Sequence, residues 1–317
     1  MGYNSARYLH TVYQAMSMAF ADRDFYYGDP AYAQGQPMKG LLSKEYAKQR
    51  FGQIDWTRND ASIKPGDPYP FEGRANPLKA QLDAWTVLPA PTNLPRSVQQ
   101  DRLPLETADG GRQTAEDAYK AAFYAGTTSI QAADEEGWVI SVTPSGGWIP
   151  AVIAGNTGVG LSQRAQSFVT APEDGPFNVI EPGKRPRVTL TPSLAMKDGL
   201  PFLAVSVQGG DSQDQNLLQF LLNVVDFGMT PQEAVEAPNI NSFQMRSSFG
   251  QHESRPGRML AAESLPFYVR SELRRMGYTL EFDERTSGPI TAILFDRKHR
   301  TMWGAASNHG EDYGIGW

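Results

Sequence analysis

Two short segments of this sequence combine residue types that could carry out chemistry. The first is Gly126-Thr127-Thr128, just before the first predicted strand, because a threonine hydroxyl becomes a nucleophile once a base activates it. The second is the run 207–211 (VQGGD), where a predicted buried strand gives way to a helix. Paired glycines at a helix start can direct N–H groups at an oxyanion. From these residues alone, a strand-forming threonine and a tight turn are the commoner interpretation.

Other catalytic signatures are missing from the sequence. It contains no GxSxG, HExxH, Walker or GxGxxG motif, and the glycines of GNTGVG at 155–160 are spaced wrongly for a dinucleotide loop. The chain has no cysteine, which excludes disulfides, thiolate metal ligands and cysteine nucleophiles. Its four histidines are scattered without metal-ligand spacing. We therefore expect no metal site and no Ser-His-Asp triad.

The composition describes a globular protein with an acidic surface. Apolar residues make up 40% of the 317 residues. The chain has 29 Lys and Arg and 35 Asp and Glu, which gives a net charge of −6. Nucleic acids and anionic membranes favour basic surfaces, so we expect neither as a partner. The sequence has no apolar run of roughly 18 residues and no signal-peptide pattern at its N-terminus. We expect a soluble protein and leave its compartment, cytoplasmic or periplasmic, open.

The first part of the chain is predicted to be helical, followed by a proline-rich connector. Apolar residues at helical spacing predict a helix over 6–20, and KGLLSKEYAKQR predicts a second helix capped by Ser43. Eight of the 23 prolines lie between residues 59 and 113, where apolar periodicity is weak, so this stretch is predicted to be an extended linker. A short helix is predicted over 114–124.

From Thr127 onward the pattern becomes strand, turn, strand. Three hairpins are predicted: TTSIQAA with WVISVT, RVTLTPSLAM with LPFLAVSV, and PITAILF with TMWGAAS. Several of these strands are nearly continuous apolar runs, which predicts burial on both faces. Helices are predicted over 213–227, after a capping box at 230–233, and over 266–276. Blocks of hairpins and blocks of helices indicate an α+β fold with layered sheets.

In chain order these pieces resemble the γ-glutamyltransferase family of N-terminal-nucleophile hydrolases. The resemblance covers nearly the whole chain. It rests on six segments: GYNSARYLHTVYQAMSMAFADRDFYYGDP, KGLLSKEYAKQR, AGTTSIQAADEEGWVISVTPSGG, PGKRPRVTLTPSLAMKDGLPFLAVSVQGGDSQDQ, LLNVVDFGMTPQEAVEAP and GAASNHGEDYGIGW. It implies a four-layer αββα sandwich, incomplete in this chain, and an enzyme that needs no metal or organic cofactor.

The resemblance also implies that the chain cuts itself between Gly126 and Thr127. Residues 1–126 would then be the end of a large-subunit region, and residues 127–317 a β-rich catalytic small subunit. The freed α-amine of Thr127 has a reference pKa of about 7.7–8.0, so it can serve as the base that activates the hydroxyl. Gly126 suits the strained backbone that self-cleavage requires.

Further site residues follow from the resemblance. Gly209 and Gly210 match the glycines of the family's oxyanion hole. Ser145 falls where the family has a threonine that hydrogen-bonds the nucleophile. Thr189 matches the second of two serines that hold the substrate carboxylate, and Val188 replaces the first.

Other positions depart from the family pattern. Gly147 replaces an asparagine, Arg164 a glutamine, and Ser167 the aspartate that binds the substrate amino group. Losing that carboxylate removes a contact of about 1.5–3 kcal/mol, which argues against ordinary glutathione hydrolysis. Arg164 and Arg187 would make the pocket more basic and favour an acidic acyl donor, unless both are solvated surface residues.

Family members carry several hundred residues before the position of Gly2, including sheet strands and a helical layer. We therefore expect a missing N-terminal half, in the same reading frame or as a separate large-subunit chain. The predicted function is an amide hydrolase or acyltransferase acting on a small amide or γ-glutamyl-type substrate. Two alternatives remain: another acylase on the same fold, acting on a small amide or a β-lactam side chain, or a catalytically silent, unprocessed fragment or binding protein.

Overall fold

A computed structural model of the chain describes residues 1–32, 35–87, 127–145, 152–250, 252–309 and 312–316. Gly126, Gly147 and the helix predicted over 114–124 lie outside these residues. The described helices are α1 (Ala6–Tyr26), α2 (Met38–Leu41), α3 (Lys44–Phe51), α4 (Lys79–Ala84), α5 (Gln213–Val225), α6 (Pro231–Glu236) and α7 (Phe267–Arg275). The described strands are β1 (Ile130–Ala133), β2 (Val139–Val142), β3 (Ser193–Lys197), β4 (Leu200–Val207), β5 (Asn241–Ser242), β6 (Arg258–Ala262), β7 (Thr279–Asp283), β8 (Ile290–Asp296) and β9 (Thr301–Ala306).

The described residues group into two compact units, each assembled from separated stretches of chain. The first unit draws on Met1–Pro91, Arg164–Val188 and Ile240–Thr286, and the second on Thr92–Gln163, Thr189–Asn239 and Ser287–Trp317. These units are defined by which residues pack together, whereas the predicted division at 126/127 is defined by a proposed cleavage site. That division therefore stays a prediction.

The long helix α1 organises the first unit. It begins where predicted, with the Ser5 side chain accepting a hydrogen bond from the Tyr8 N–H at 3.2 Å, and continues to Tyr26 instead of ending at Phe20. It packs against α7 and the sheet β5–β6–β7, in which β6 and β7 are parallel and joined through α7. Ser43 caps α3 as predicted. No described helix is both long and apolar enough to cross a membrane.

The proline-rich stretch is not a linker in its described part, residues 59–87. Tyr69, Leu82 and Trp85 from this stretch are buried in a cluster with Phe25 and Phe177. These aromatic and apolar anchors between the prolines hold the segment against α1, because their burial outweighs the lack of a regular apolar period. The remainder of the predicted linker, 88–113, lies outside the described residues.

The four-stranded antiparallel sheet of the second unit has the order β3-β4-β8-β9 and contains two of the predicted hairpins. Asp198 and Gly199 both take positive φ in the tight turn between β3 and β4. Helices α5 and α6 cover one face of this sheet, where Leu203, Val205 and Val207 pack with residues such as Phe220 and Val235 in one buried cluster. The predicted capping box, Thr230 with Glu233, starts α6.

The remaining hairpin, β1–β2, packs on the opposite face of that sheet, against β4 and β8. The second unit is therefore layered as helices, a four-stranded sheet and a two-stranded sheet. The prediction that these strands are buried on both faces is correct for residues 203–207 of β4 but wrong for β1, β2 and β9. Ile130 and Ile140 on the outer face of the hairpin are each 52% exposed, because no described element of this chain covers that face.

Candidate active site

Thr127 and Ser145 lie side by side at one end of the β1–β2 hairpin. Their backbones form an antiparallel bridge in the same register as the hairpin, and Thr127 Oγ1 and Ser145 Oγ are 2.8 Å apart. Thr127 is only 6% exposed, whereas its neighbour Thr128 is exposed. The structure therefore brings together the two hydroxyls that the sequence placed in the same site, 18 residues apart along the chain.

The inner face of this hairpin is mostly polar, with Ala133 and Val139 as its apolar members at the turn end. Side chains alternate across a strand, so Ser129 and Gln131 share the face of Thr127, and Thr143 shares that of Ser145. Thr127, Ser129 and Thr143 are all buried, and Ser129 and Thr143 hydrogen-bond side chains of the four-stranded sheet. The alternation was readable in the sequence, but a polar strand face is ordinarily predicted to face solvent, and its role was therefore missed.

The Gly209–Gly210 turn joins β4 to α5. Gly209 has φ 114° and Gly210 has φ 53°, two successive backbone conformations in the left-handed region that L-residues with a side chain rarely adopt. The Ser212 N–H donates to the Gly209 carbonyl at 3.0 Å and closes the short turn before the helix. This conformation explains why both positions are glycine.

The hydroxyl pair and the glycine turn lie at the same end of the second unit. Ser141 Oγ donates to the Val205 carbonyl at 3.2 Å, and further along the same two strands Thr143 hydrogen-bonds Ser206. These two contacts show that β2 and β4 run in the same direction. Ser145 follows β2 and Gly209 follows β4, so both residues lie beyond the C-terminal ends of these strands, on the same side of the two sheets.

Thr189 lies close to the same turn. It is buried, and its Oγ1 accepts a hydrogen bond of 3.4 Å from the amide of Gln213, the first residue of α5. Two residues further on, Thr191 Oγ1 accepts from the Val207 N–H at 3.3 Å. The chain around Thr189 therefore runs alongside the end of β4, at the edge where Gly209 is found.

The other three predicted substrate residues, Arg164, Ser167 and Val188, belong to the first unit. Val188 is 54% exposed, and the Arg164 guanidinium lies over the Phe249 ring, 5.4 Å from its centroid. Ser167 is fully buried, and its Oγ has no hydrogen-bond partner among the described residues. The Ser167 carbonyl accepts from the Asn178 amide at 2.6 Å. The side chain at 167 therefore offers no charge to a ligand.

Arg187 is neither solvated nor directed at solvent. It is buried, and its Nη1 donates to Asp24 Oδ1 at 2.7 Å. The same carboxylate accepts from Arg23 Nη2 at 2.8 Å and, through Oδ2, from the Arg246 N–H at 2.9 Å. The Arg187 guanidinium is thus paired inside the protein, so the solvated alternative is wrong for this residue.

Two motifs that carried the resemblance, GDP at 28–30 and KRP at 184–186, meet in the first unit. Arg185 donates to Asp29 through Nε and Nη2 at 3.1 and 2.9 Å, and its backbone N–H donates at 2.9 Å. These contacts hold the pKa of Asp29 well below its usual range. The ion pair fixes the start of the segment that leads to Val188 and Thr189.

Together, the arrangement in the second unit places a buried threonine hydroxyl, a second hydroxyl bonded to it, and a left-handed glycine turn at one edge of two packed sheets. A hydroxyl nucleophile needs an orienting partner and donors for the oxyanion that forms when it attacks a carbonyl. The residue types that acyl transfer requires therefore lie at one end of the second unit.

Comparisons with known proteins place the chain among enzymes of this kind. The family model described as gamma-glutamyltranspeptidase matches residues 1–317. The glutathione hydrolase proenzyme of Bacillus subtilis subsp. natto is 27% identical over 306 residues, 96% of this chain and 44% of that protein. The acylase ACY 1 proenzyme of Pseudomonas sp. (strain V22) is 25% identical over 306 residues, 96% of this chain and 43% of that protein.

A solved structure, that of LmbA2991T421A, has the same fold. It superposes with a TM-score of 0.77 and 30% sequence identity, over 100% of this chain and 50% of that one. The chain therefore spans less than half the length of these two curated relatives and half of the solved one.

Proposed function

The chain belongs to the gamma-glutamyltranspeptidase family and has the α+β fold of N-terminal-nucleophile hydrolases, and from this membership we propose that it is a self-processing amide hydrolase or acyltransferase whose nucleophile is Thr127. The observation that carries the proposal is the 2.8 Å contact between the buried Thr127 hydroxyl and Ser145 Oγ. It supports the proposal because Thr127 is the residue that the resemblance assigns as nucleophile, and Ser145 can orient its hydroxyl.

Self-processing would use the same hydroxyl as catalysis. Thr127 Oγ attacks the carbonyl carbon of Gly126, the peptide C–N bond breaks, and the Thr127 nitrogen takes a proton to become a free α-amine. Water then hydrolyses the resulting ester, which returns the hydroxyl and leaves a carboxylate on Gly126. Ser145 orients the hydroxyl during the attack.

In each catalytic cycle the freed α-amine takes the proton from Thr127 Oγ as the oxygen attacks the substrate amide carbonyl. The N–H groups of Gly209 and Gly210 stabilise the oxyanion, a contribution of about 3–4 kcal/mol for a single donor. The leaving amine takes the proton, and the acyl-enzyme passes its acyl group to water or to an amine acceptor.

The first test of this proposal is the covalent state of the chain. We expect intact-mass measurement of the purified enzyme to give two polypeptides, residues 1–126 with any preceding segment and residues 127–317. N-terminal sequencing of the smaller one should begin at Thr127. A single unbroken polypeptide in an enzyme with amidase activity would contradict the mechanism, because the α-amine base would not exist.

The substrate class follows from residue 167. A γ-glutamyl substrate carries an α-ammonium group, and Ser167 provides no carboxylate to pair with it. An unpaired ammonium must be desolvated without compensation, so the amino group should not help binding. The resemblance assigns the substrate carboxylate to Thr189.

We expect the processed enzyme to hydrolyse glutaryl p-nitroanilide at least as well as γ-glutamyl p-nitroanilide. These two substrates differ by the α-amino group alone, and kcat/KM is the quantity compared. A family-typical aspartate contact would favour the γ-glutamyl compound by about tenfold to a hundredfold. A preference of that size in the wild-type enzyme would show that another group binds the ammonium.

We further propose that the active enzyme contains a second half not present in this chain. The supporting observations are the coverage of less than half of the curated relatives and the exposed apolar outer face of the β1–β2 hairpin. A partner layer on that face would complete a four-layer αββα sandwich.

The second candidate function is an acylase that removes a different acyl group, such as a β-lactam side chain. The loss of charge at position 167 favours it, and a curated relative of similar coverage is named as an acylase. The glutaryl substrate above distinguishes this function from ordinary γ-glutamyl transfer.

A further inference from the structure

Four buried or half-buried hydroxyls connect the two sheets of the second unit next to Thr127. In the hairpin, Ser129 and Thr143 are cross-strand neighbours in the register that pairs Thr127 with Ser145. In the four-stranded sheet, Ser206 of β4 is the register partner of Thr291 of β8. The two pairs face each other across the interface between the sheets, and we call them the hydroxyl seam: Ser129, Thr143, Ser206 and Thr291.

Each hydroxyl of the seam bonds one on the opposite sheet. Ser129 Oγ lies 2.8 Å from Thr291 Oγ1, and Thr143 Oγ1 hydrogen-bonds Ser206 Oγ. Ser206 is fully buried, and Ser129 and Thr143 are nearly so. Buried hydroxyls are costly unless they are paired, so the pairing between sheets is a structural requirement here.

The hydrogen bonds on the Ser129 side have a defined direction. Thr291 donates its single hydroxyl proton to Gln131 Oε1, so it must accept from Ser129. The Gln131 amide then donates to Ser141 Oγ at 3.3 Å, and Ser141 donates to the Val205 carbonyl at 3.2 Å. This series of hydrogen bonds begins at Ser129, two residues after Thr127, and ends on β4, the strand that leads to Gly209.

A purely apolar contact between two sheets would leave their relative position loosely defined. A slide by two residues keeps each side chain on its own face, and apolar packing penalises it weakly. In this interface the same slide would break the Ser129–Thr291, Thr143–Ser206 and Ser141–Val205 hydrogen bonds. Directional hydrogen bonds therefore fix one alignment of the hairpin on the sheet.

We propose that the hydroxyl seam is a positioning element, which aligns the Thr127–Ser145 pair on the hairpin with the Gly209–Gly210 turn at the end of β4. This inference rests on the proposed function, since it assigns the seam the task of setting nucleophile and oxyanion donors at their reacting distance. None of the four seam residues touches the reacting atoms. They act through the strands that carry those groups.

The test replaces seam threonines by valine, which has the same shape but no hydroxyl. Thr291→Val and Thr143→Val are made in the assembled enzyme, with the completing half co-expressed. We expect kcat to fall by about tenfold to a hundredfold while KM stays within about twofold, because misplacement affects the transition state more than binding. Self-cleavage after cell-free synthesis should slow to a similar degree.

Two further sets of variants separate positioning from stability. Thr291→Ser and Thr143→Ser keep the hydroxyl and lose a methyl group, and they should recover kcat to within about twofold of wild type. Ser193→Ala is the matched control, because the Ser193 hydroxyl lies on β3 of the same sheet and bonds the nearby Thr191 carbonyl at 3.0 Å. Its kinetics should equal those of wild type.

Wild-type kcat in both valine variants would overturn the seam proposal. So would serine variants that fail to recover kcat, or valine variants that lose their cooperative melting, since both results indicate a structural role alone. The proposed function fails differently: it fails if Thr127→Ala keeps wild-type self-cleavage and turnover, whatever the seam variants do.

Discussion

Thr127→Ala is expected to abolish self-cleavage and to lower amide turnover by at least about a thousandfold, the scale seen when a covalent nucleophile is removed. The reason is that one hydroxyl serves both reactions: it attacks the Gly126 carbonyl once and the substrate carbonyl in every cycle. Alanine removes that oxygen and adds no bulk. The measurement is intact mass for the first reaction and kcat/KM for the second, on enzyme co-expressed with its completing half.

Thr128→Ala is the matched control for this variant. Thr128 is the same residue type one position along the chain, but its side chain lies on the opposite, exposed side of the strand. We expect it to process and turn over like wild type, and Thr127→Ser to keep measurable activity because it keeps the hydroxyl. Cleavage at 126/127 in the Thr127→Ala protein would show that Thr127 is not the nucleophile of self-processing.

Asp24→Asn is expected to destabilise the first unit by about 3–5 kcal/mol, a large part of the free energy of unfolding of an ordinary domain. The Asp24 carboxylate is buried and accepts hydrogen bonds from the side chains of Arg23 and Arg187 and from the Arg246 N–H. Asparagine keeps the shape but loses the charge, so two buried guanidinium groups lose their balancing anion. The denaturation midpoint of the variant measures the effect.

Asp174→Asn provides the control for that prediction. Asp174 pairs with Arg246 at 2.6 Å in the same region, but its side chain is 40% exposed, and the carbonyl oxygen of asparagine can still accept from Arg246. We expect a smaller loss than in Asp24→Asn, because this carboxylate pairs with one guanidinium group and is itself partly exposed. If the two variants lost equal free energy of unfolding, the burial of Asp24 would not be what makes its ion pairs important for stability.

The sequence singled out the candidate catalytic residues at points where local chemistry favours them. Gly209 and Gly210 were found from a strand-to-helix junction, and their positive φ values explain the choice of glycine. Thr127 was singled out at the junction before the first strand and Ser145 through the resemblance, and the hairpin register between them brings their hydroxyls together. The catalytic roles of these four residues and the binding roles of Thr189, Arg164, Ser167 and Val188 all remain predictions, because they depend on a bound substrate.

By itself the sequence determined the elements whose signals are local: the three hairpins, the Ser43 cap, the capping box of Thr230 and Glu233, and the glycine turn after β4. It did not determine which face of a strand is buried, since that depends on what packs there. The tertiary structure alone showed that the polar face of β1–β2 is the inner one and that Arg187 pairs with Asp24, 163 residues away. The pairing of a buried charge or hydroxyl is a long-range property, because its partner is set by the packing of distant segments and leaves no periodic pattern in the chain.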